Sequence, residues 1–336
     1  MLSAQSVEIT ISGARIVLTP LPGGGTRVTA SLTNAHPEPT IEEWETVYSE
    51  DVIRAILDHD PRYWRLHGEL VREESPDGIQ HALTYYLLSF LSEKDFENKR
   101  ILDFGCGCGA STLALSRLFP TAIIVGLDRL EECLKVCRLK ARDAKCDRLS
   151  FVTPASDSSL PHDIGDFDFV VLCGVYEHLL PQERTALLRE LWSRLHVGGV
   201  LFIAQTPNWY FPFETHITRY PLLHYLPKPL AYPIARRAYK KIWGSDQPWE
   251  ELLRLGLHGA SVREIKNILA YGQNRLRFLK PSRLGMRDSL DIWRATLDKS
   301  ESGRVKELTF FALKAIKSIT GLEIPPYITV AVQKEA

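Results

Sequence analysis

A doubly wound α/β sheet, mostly parallel and seven-stranded, is the fold class this sequence predicts, and three observations predict it. Apolar runs at 100–104, 122–127, 149–153, 167–173 and 199–204 alternate with helical patterns near 110–119, 130–145 and 182–195 across short connections. The stretch RILDFGCGCGAST, residues 100–112, reads as a buried strand, a turn almost without side chains and a helix start. The second apolar run ends on an acid, Asp128.

Ahead of this core, residues 1–38 read as a β-hairpin extension. Val7, Ile9 and Ile11 alternate, residues 16–18 continue, and residues 28–32 return after Pro22-Gly23-Gly24-Gly25. Two strands are marginal alone, so the extension packs on the rest of the chain or self-associates as a homodimer. Residues 39–94 read as helical, with Ile41, Trp44, Tyr48, Val52, Ile53 and Ile56 at helical spacing. A second helix follows Pro76-Asp77-Gly78 and carries Ile79, Leu83, Tyr86, Leu87 and Phe90. The main domain takes residues 95–336. Its last strands are expected at 275–279 and 327–332, with a helix between them around 303–319 carrying Val305, Leu308, Ala312, Ala315 and Ile319.

Inside that domain, residues 205–258 form an insertion with seven prolines and dense aromatics, including Trp209, Tyr210, Phe211, Phe213, Tyr220, Tyr225 and Trp243. A connection this long is functional or disordered, and the aromatics argue for order. It reads as a lid or wall for a substrate. Residues 230–243 project an amphipathic helix: Arg236, Arg237, Lys240 and Lys241 on one side, Ile234, Ala238, Ile242 and Trp243 on the other. That pattern suits peripheral contact with an anionic membrane surface, or packing on the helix's own domain with a solvated basic face.

Composition narrows the partners. Forty-one Lys and Arg balance forty-one Asp and Glu over 336 residues, so no global basic field advertises a nucleic acid. Hydrophobic content of 45% and charged content of 24% are those of an ordinary globular chain. No apolar run reaches the roughly 18 residues of a membrane span, and the first residues lack a signal-peptide layout. A cytoplasmic location is the expectation. The six cysteines are Cys106, Cys108, Cys133, Cys137, Cys146 and Cys173. Their spacing is not a usual zinc spacing, no histidine stands nearby in sequence, and they read as small buried thiols.

The glycine turn carries the chemistry. Gly105, Gly107 and Gly109 let backbone N–H groups approach a ligand at a helix N-terminus. Asp103, two residues earlier, can meet an ammonium group, and Asp128 can take both hydroxyls of a ribose. Gly105-x-Gly107-x-x-Ala110 also satisfies a dinucleotide fingerprint with alanine in third place. A ligand with an α-amino acid at one end and a nucleoside at the other fits this set better than a pyrophosphate, and S-adenosyl-L-methionine is such a ligand. The pattern resembles the class I methyltransferases, whose first motif is typically D-x-G-x-G-x-G; Asp103, Gly105, Gly107 and Gly109 match it position for position.

The resemblance implies a Rossmann-like methyltransferase fold and a helical cover over the cofactor site from residues 39–94. It implies a cofactor-binding set that adds Cys106 in the loop and Cys173 at the end of the fourth strand. An acid after the third strand usually meets the adenine amino group. Here Ser156 takes that place and Asp157 follows it, and Asp157 is preferred because a carboxylate reads an amino group strongly. The fourth strand runs into Gly174-Val175-Tyr176-Glu177-His178, similar to the small-molecule branch that includes the ubiquinone-pathway O-methyltransferases. Those enzymes carry a metal-associated Glu-x-x-Glu-His; the first acid is Gly174 here, so no metal is expected. The run TPNWYFPFETH, also similar to that branch, supplies His216. Glu177, His178 and His216 are thus the candidate catalytic residues, with His178 first as the base for a hydroxyl acceptor. The expected activity is O-methylation of a small or lipid-like acceptor. An RNA or protein methyltransferase, and a non-catalytic cofactor-binding scaffold, are the alternatives.

Overall fold

The computed structural model describes residues 6–32, 40–154, 159–273, 275–296 and 303–336. Ser156 and Asp157 lie outside the described residues. By its internal contacts the chain forms two compact units, residues 1–81 with 106–153, and residues 82–105 with 154–336.

Four strands, β1 (Val7–Ile11), β2 (Ala14–Pro20), β3 (Thr26–Leu32) and β4 (Thr40–Thr46), pair antiparallel in that order. The expected helix over the first part of 39–94 is therefore a strand. β4 is in register with β3 from Leu32 opposite Thr40 to Thr26 opposite Thr46. The sheet's hydrogen bonds overrode a helical spacing in which Ile41 turns out to be 68% exposed. Helices begin only with α1 (Glu50–His59) and α2 (Tyr63–Glu74), followed by α3 (Ile79–Leu88), α4 (Ala110–Leu118) and α5 (Glu131–Asp143). The sheet closes over the first two: Ile16, Leu18, Val28 and Ala30 share one core with Val52, Ile53, Ile56, Leu66 and Leu70, and with Cys108, Cys133 and Val136. A buried ionic group ties the same unit together. Glu73 accepts from Lys140 Nζ at 2.8 Å and Arg117 Nη1 at 3.1 Å, and it also receives the Tyr48 hydroxyl.

The seven-stranded sheet is made of β5 (Arg100–Phe104), β6 (Ile123–Leu127), β7 (Leu149–Val152), β8 (Phe167–Cys173), β9 (Leu195–Pro207), β10 (Leu276–Phe278) and β11 (Tyr327–Lys334), in the order β10-β11-β9-β8-β5-β6-β7. β5 with β8, β6 with β7 and β8 with β9 are parallel, while β11 runs antiparallel to both its neighbours. The remaining helices are α6 (Pro181–Ser193), α7 (Lys228–Trp243), α8 (Trp249–Arg254), α9 (Val262–Leu269), α10 (Ser289–Ala295) and α11 (Gly303–Thr320). Two of the starts are capped as their sequences allow: the Ser261 hydroxyl accepts from Glu264 N–H, and the Asp288 carboxylate from Asp291 N–H.

The insertion is ordered and has a core of its own, built from Ile217, Leu223, Ala231, Ala235, Leu252 and Leu257. Its helix α7 corrects the expected apolar side. Ala231, Ala235 and Ala238 are buried, whereas Ile234, Ile242 and Trp243 are 39%, 49% and 55% exposed. Close approach of the helix to its neighbours selects small residues and turns the large ones outward. α11 departs in the same sense: Phe310 and Leu313 pack inward, and Val305, Leu308, Ala312, Ala315 and Ile319 are exposed. Among the described residues no helix is long and apolar enough to cross a membrane.

Candidate active site

β5 buries Ile101, Leu102 and the carboxylate-bearing Asp103. The turn that follows holds Gly105, Gly107 and Gly109 at φ of +75°, +53° and +89°. All three lie in the left-handed region that side chains disfavour. At Gly105 space is also refused, since a Cβ there would stand 2.6 Å from Val175 Cγ2. At Gly107 a Cβ would meet nothing within 4 Å, so that glycine faces open space and is required by its backbone alone. Gly107 N–H donates to Asp128 Oδ2 at 2.9 Å, and Leu130 N–H to Oδ1 at 3.0 Å. Asp128 is thus fixed on the loop at the end of β6. The Cys106 side chain is buried against Leu134 and Cys137. Cys173 is buried and points its thiol at Gln205 Oε1, 3.7 Å away.

Within the second unit the structure brings together the three catalytic candidates. Their ligand-type atoms lie within 4.8 Å of one another. β8 ends at Cys173, Gly174 turns the chain at φ +67°, and one helical turn over Tyr176–His178 presents the pair. The departure at Gly174 therefore has a backbone reason, since an acid there would have to adopt a left-handed conformation. Glu177 is 1% exposed. Its Oε2 accepts from Thr206 Oγ1 at 2.9 Å, its Oε1 has no hydrogen-bond partner among the described residues, and burial pushes its carboxyl up. His178 Nδ1 stands 2.7 Å from the carbonyl of Arg254. A carbonyl only accepts, so Nδ1 carries the proton and Nε2 is left as the basic nitrogen. The His216 ring lies edge-on to that of His178, centroids 5.4 Å apart. Burial first, and His178 second, push His216 down to about 4, so it is neutral at physiological pH.

Several contributors were not visible in the sequence. Glu214, 3% exposed, accepts from the N–H groups of His216, Ile217, Thr218 and Arg219 and from the Thr218 hydroxyl. This one carboxylate fixes the loop that carries His216. Gly256, at φ +96°, lets the segment after α8 come against the cluster: a Cβ would stand 2.7 Å from His216 Cδ2 and 3.3 Å from Glu177 Cγ. Arg254, whose carbonyl holds His178, is itself held by Glu183 at 2.8 Å. Gln205 ends β9's central run with φ +62°, a left-handed non-glycine residue. Only Gly256 left a trace in sequence, as a glycine just past a helical pattern. Within the insertion Trp209, Phe213, Thr215, His224 and His258 line a small cleft. The cysteines are buried except Cys146, as expected, but a histidine distant in sequence does come to them: His59 Nε2 lies 3.5 Å from Cys133 Sγ.

Residues 101–199, which hold the glycine loop, Asp128 and the Glu177–His178 pair, match the methyltransferase domain family. That segment is a methyltransferase domain of the class I S-adenosylmethionine-dependent type. Among curated relatives this chain is similar to an uncharacterized protein of Synechocystis, sll1526, at 28% identity over 145 residues, 43% of this chain and 28% of the relative. It is similar also to the carboxy-S-adenosyl-L-methionine synthase of Aliivibrio fischeri, at 29% identity over 145 residues, 41% of this chain and 59% of the relative. The match thus spans well under two thirds of either relative. Similar solved structures include PKMT2 from Rickettsia typhi, at 16% identity and TM-score 0.45, covering 76% of this chain and 53% of that one. Another is YcgJ from Bacillus subtilis, at 14% identity and TM-score 0.43, covering 76% of this chain and all of the other.

The residues present suit the family's cofactor. A half-buried carboxylate locked on a left-handed glycine loop offers oxygen acceptors for a ribose diol, and the open face at Gly107 leaves room for a ligand against the backbone.

Proposed function

We propose that the protein transfers a methyl group from S-adenosylmethionine to an oxygen of a small or lipid-like acceptor, without a metal. Asp128 and the backbone of Gly105, Cys106, Gly107 and Gly109 hold the cofactor, Asp103 takes its ammonium group, and Ser156, Asp157 and Cys173 complete the set. Bound, the cofactor supplies a methyl group on a sulfonium, open to direct displacement. What the chain must add is position, exclusion of water and removal of the hydroxyl proton. His178 removes that proton at Nε2, since Nδ1 is committed to the Arg254 carbonyl. That hydrogen bond is the observation that carries the oxygen-acceptor reading. His216 stays neutral beside it and adds no competing charge. Trp209 and Phe213 add aromatic surface to a small cleft that His224 and His258 also line.

The test is cofactor binding by calorimetry, then incubation with methyl-labelled cofactor and fractionated cell extract, with and without chelator. Label in the small-molecule or lipid fraction, undiminished by chelation, is the expected result. Micromolar NAD binding with none of S-adenosylmethionine overturns the reading at its root. Label in RNA or protein, or loss of activity on chelation restored by magnesium, overturns the acceptor or the metal-free part. Binding without turnover leaves the scaffold alternative. A carboxylated cofactor among the products would move the protein toward the chemistry named by its Aliivibrio relative.

A second reading concerns 230–243. Leu230, Ile234, Ile242 and Trp243 are exposed on the same helix as Arg237, Lys240 and Lys241, while Arg236 is paired with Asp246. We infer peripheral contact with anionic lipid. Sedimentation with anionic but not neutral liposomes, released by salt, is expected; equal recovery with both, or with neither, removes it.

A further inference from the structure

We propose that His59, Cys108 and Cys133 form a three-ligand site for a thiophilic d10 cation of the zinc type, within the first unit and apart from the Glu177 cluster. The three residues come from three elements: the last turn of α1, the glycine loop and the first turn of α5. Cys108 Sγ lies 3.5 Å from Cys133 Sγ, and Cys133 Sγ lies 3.5 Å from His59 Nε2. All three ligand atoms lie within 4.8 Å of one another.

The two 3.5 Å separations are close to those a tetrahedral ion needs. Zinc–sulfur bonds of about 2.3 Å and zinc–nitrogen bonds of about 2.0–2.1 Å, at tetrahedral angles, set two sulfurs about 3.8 Å apart and a sulfur and nitrogen about 3.6 Å apart. The two measured spacings fall within a few tenths of an ångström of these values, and the third pair, Cys108 with His59, lies within 4.8 Å. Two thiols buried at 3% each are shielded from bulk water, while the half-buried His59 opens the third corner toward solvent. A path for the ion is thereby provided, and the fourth position is left to water. On binding, each thiol S–H loses its proton to solvent and its sulfur lone pair forms the bond to the ion; nothing is oxidised or reduced. Two thiolates and an imidazole select a soft or borderline cation. The Glu177, His178 and His216 set, with its carboxylate, would favour a harder one. Ligation would tie the glycine loop at Cys108 directly to α1 and α5.

The site was hidden in sequence because Cys133 and His59 are 74 residues apart, and Cys108 and Cys133 are 25 apart. Neither interval is a recurrent zinc spacing.

The experiment uses the full chain, reduced and metal-free. Titration with zinc against a chromophoric chelator should show one equivalent bound, with about two protons released near neutral pH. Titration with cobalt(II) should give a sulfur-to-cobalt charge-transfer band. Cys133→Ser and His59→Asn should each weaken zinc binding beyond the roughly 10–100-fold that loss of a mere outer-shell partner costs, while His178→Ala should leave it unchanged. Absence of the charge-transfer band in the unmodified protein overturns the proposal, whatever the variants do. So does zinc binding that survives Cys133→Ser and is lost with His178→Ala, which would place the ion on the other cluster. Circular dichroism of Cys133→Ser separates lost ligation from lost folding, and His59→Asn, at a half-buried position, repeats the test without touching the core.

Discussion

Between Gly105 and Gly109 the backbone itself forms the surface proposed for the cofactor, and one side chain, Asp128, is bonded to it. At Glu177, His178 and His216 the reverse holds: the backbone delivers three side chains from segments up to 39 residues apart, and partners elsewhere hold them. Glu214 orders one loop, the Arg254 carbonyl aims one ring, and Gly256 makes room for both. The first region therefore depends mainly on its own few residues and on close neighbours such as Val175 and Cys137. The second depends on positions that touch no ligand. Substitutions in the first should alter affinity, and substitutions in the second should alter turnover.

The largest effect is expected at His178. His178→Ala should cost about 10²–10⁴-fold in turnover and leave cofactor affinity nearly unchanged, as removal of a general base does. A parallel loss of affinity, measured by calorimetry, would break the division between the two regions. Gly256→Ala comes next. The new methyl would meet His216 Cδ2 at 2.7 Å from a backbone at φ +96°, so the ring must shift. A displacement of that order costs turnover up to about 10²-fold, and steady-state kinetics should place the loss in kcat rather than in cofactor binding. Asp128→Ala is the converse probe. It should weaken cofactor binding by about 1–3 kcal/mol, the cost of losing a charged hydrogen-bond partner, with turnover at saturation retained.

The smallest effect sharpens the comparison through pH. Burial pushes both His216 and His258 down to about 4, against an ordinary value of 6.5. Between those limits the unfolded chain binds protons that the folded chain refuses. Their contribution to stability is thus complete above about 6.5 and is lost as pH falls toward 4. Glu177, pushed up by burial from its ordinary 4.5, acts oppositely: the folded state keeps a proton the unfolded state gives up, and stability falls as pH rises above 4.5. Urea midpoints measured from pH 7 down to 4 should decline, less steeply in His216→Gln or His258→Gln and more steeply in Glu177→Gln. The same slope in all four proteins would show that these groups are not buried as described.

The regions differ just as much in how far each could be read before folding. The strand, glycine and helix pattern at 100–112 and the acid at Asp128 needed no distant information, because φ preference, missing Cβ atoms and apolar spacing are properties of neighbouring residues. The alternation of strands and helices from 100 to 207 was legible on the same grounds. The segment 40–46 was not. Its helical spacing was real, but hydrogen bonding to β3 decided its conformation. α7 and α11 teach the same lesson, since much of the face that the spacing marked as inner is exposed and other residues pack instead, alanines in α7 and Phe310 with Leu313 in α11.

What the sequence by itself determined is the glycine turn and the class of sheet that carries it. Only the tertiary structure decided that His178 keeps its proton on Nδ1, that a carboxylate at Glu214 holds His216 in place, and that His59 meets Cys133 across 74 residues. The physical reason is range. Backbone torsion and hydrophobic period act over a few residues and are written there, whereas burial, desolvation and the convergence of side chains exist only once segments far apart in the chain are packed together.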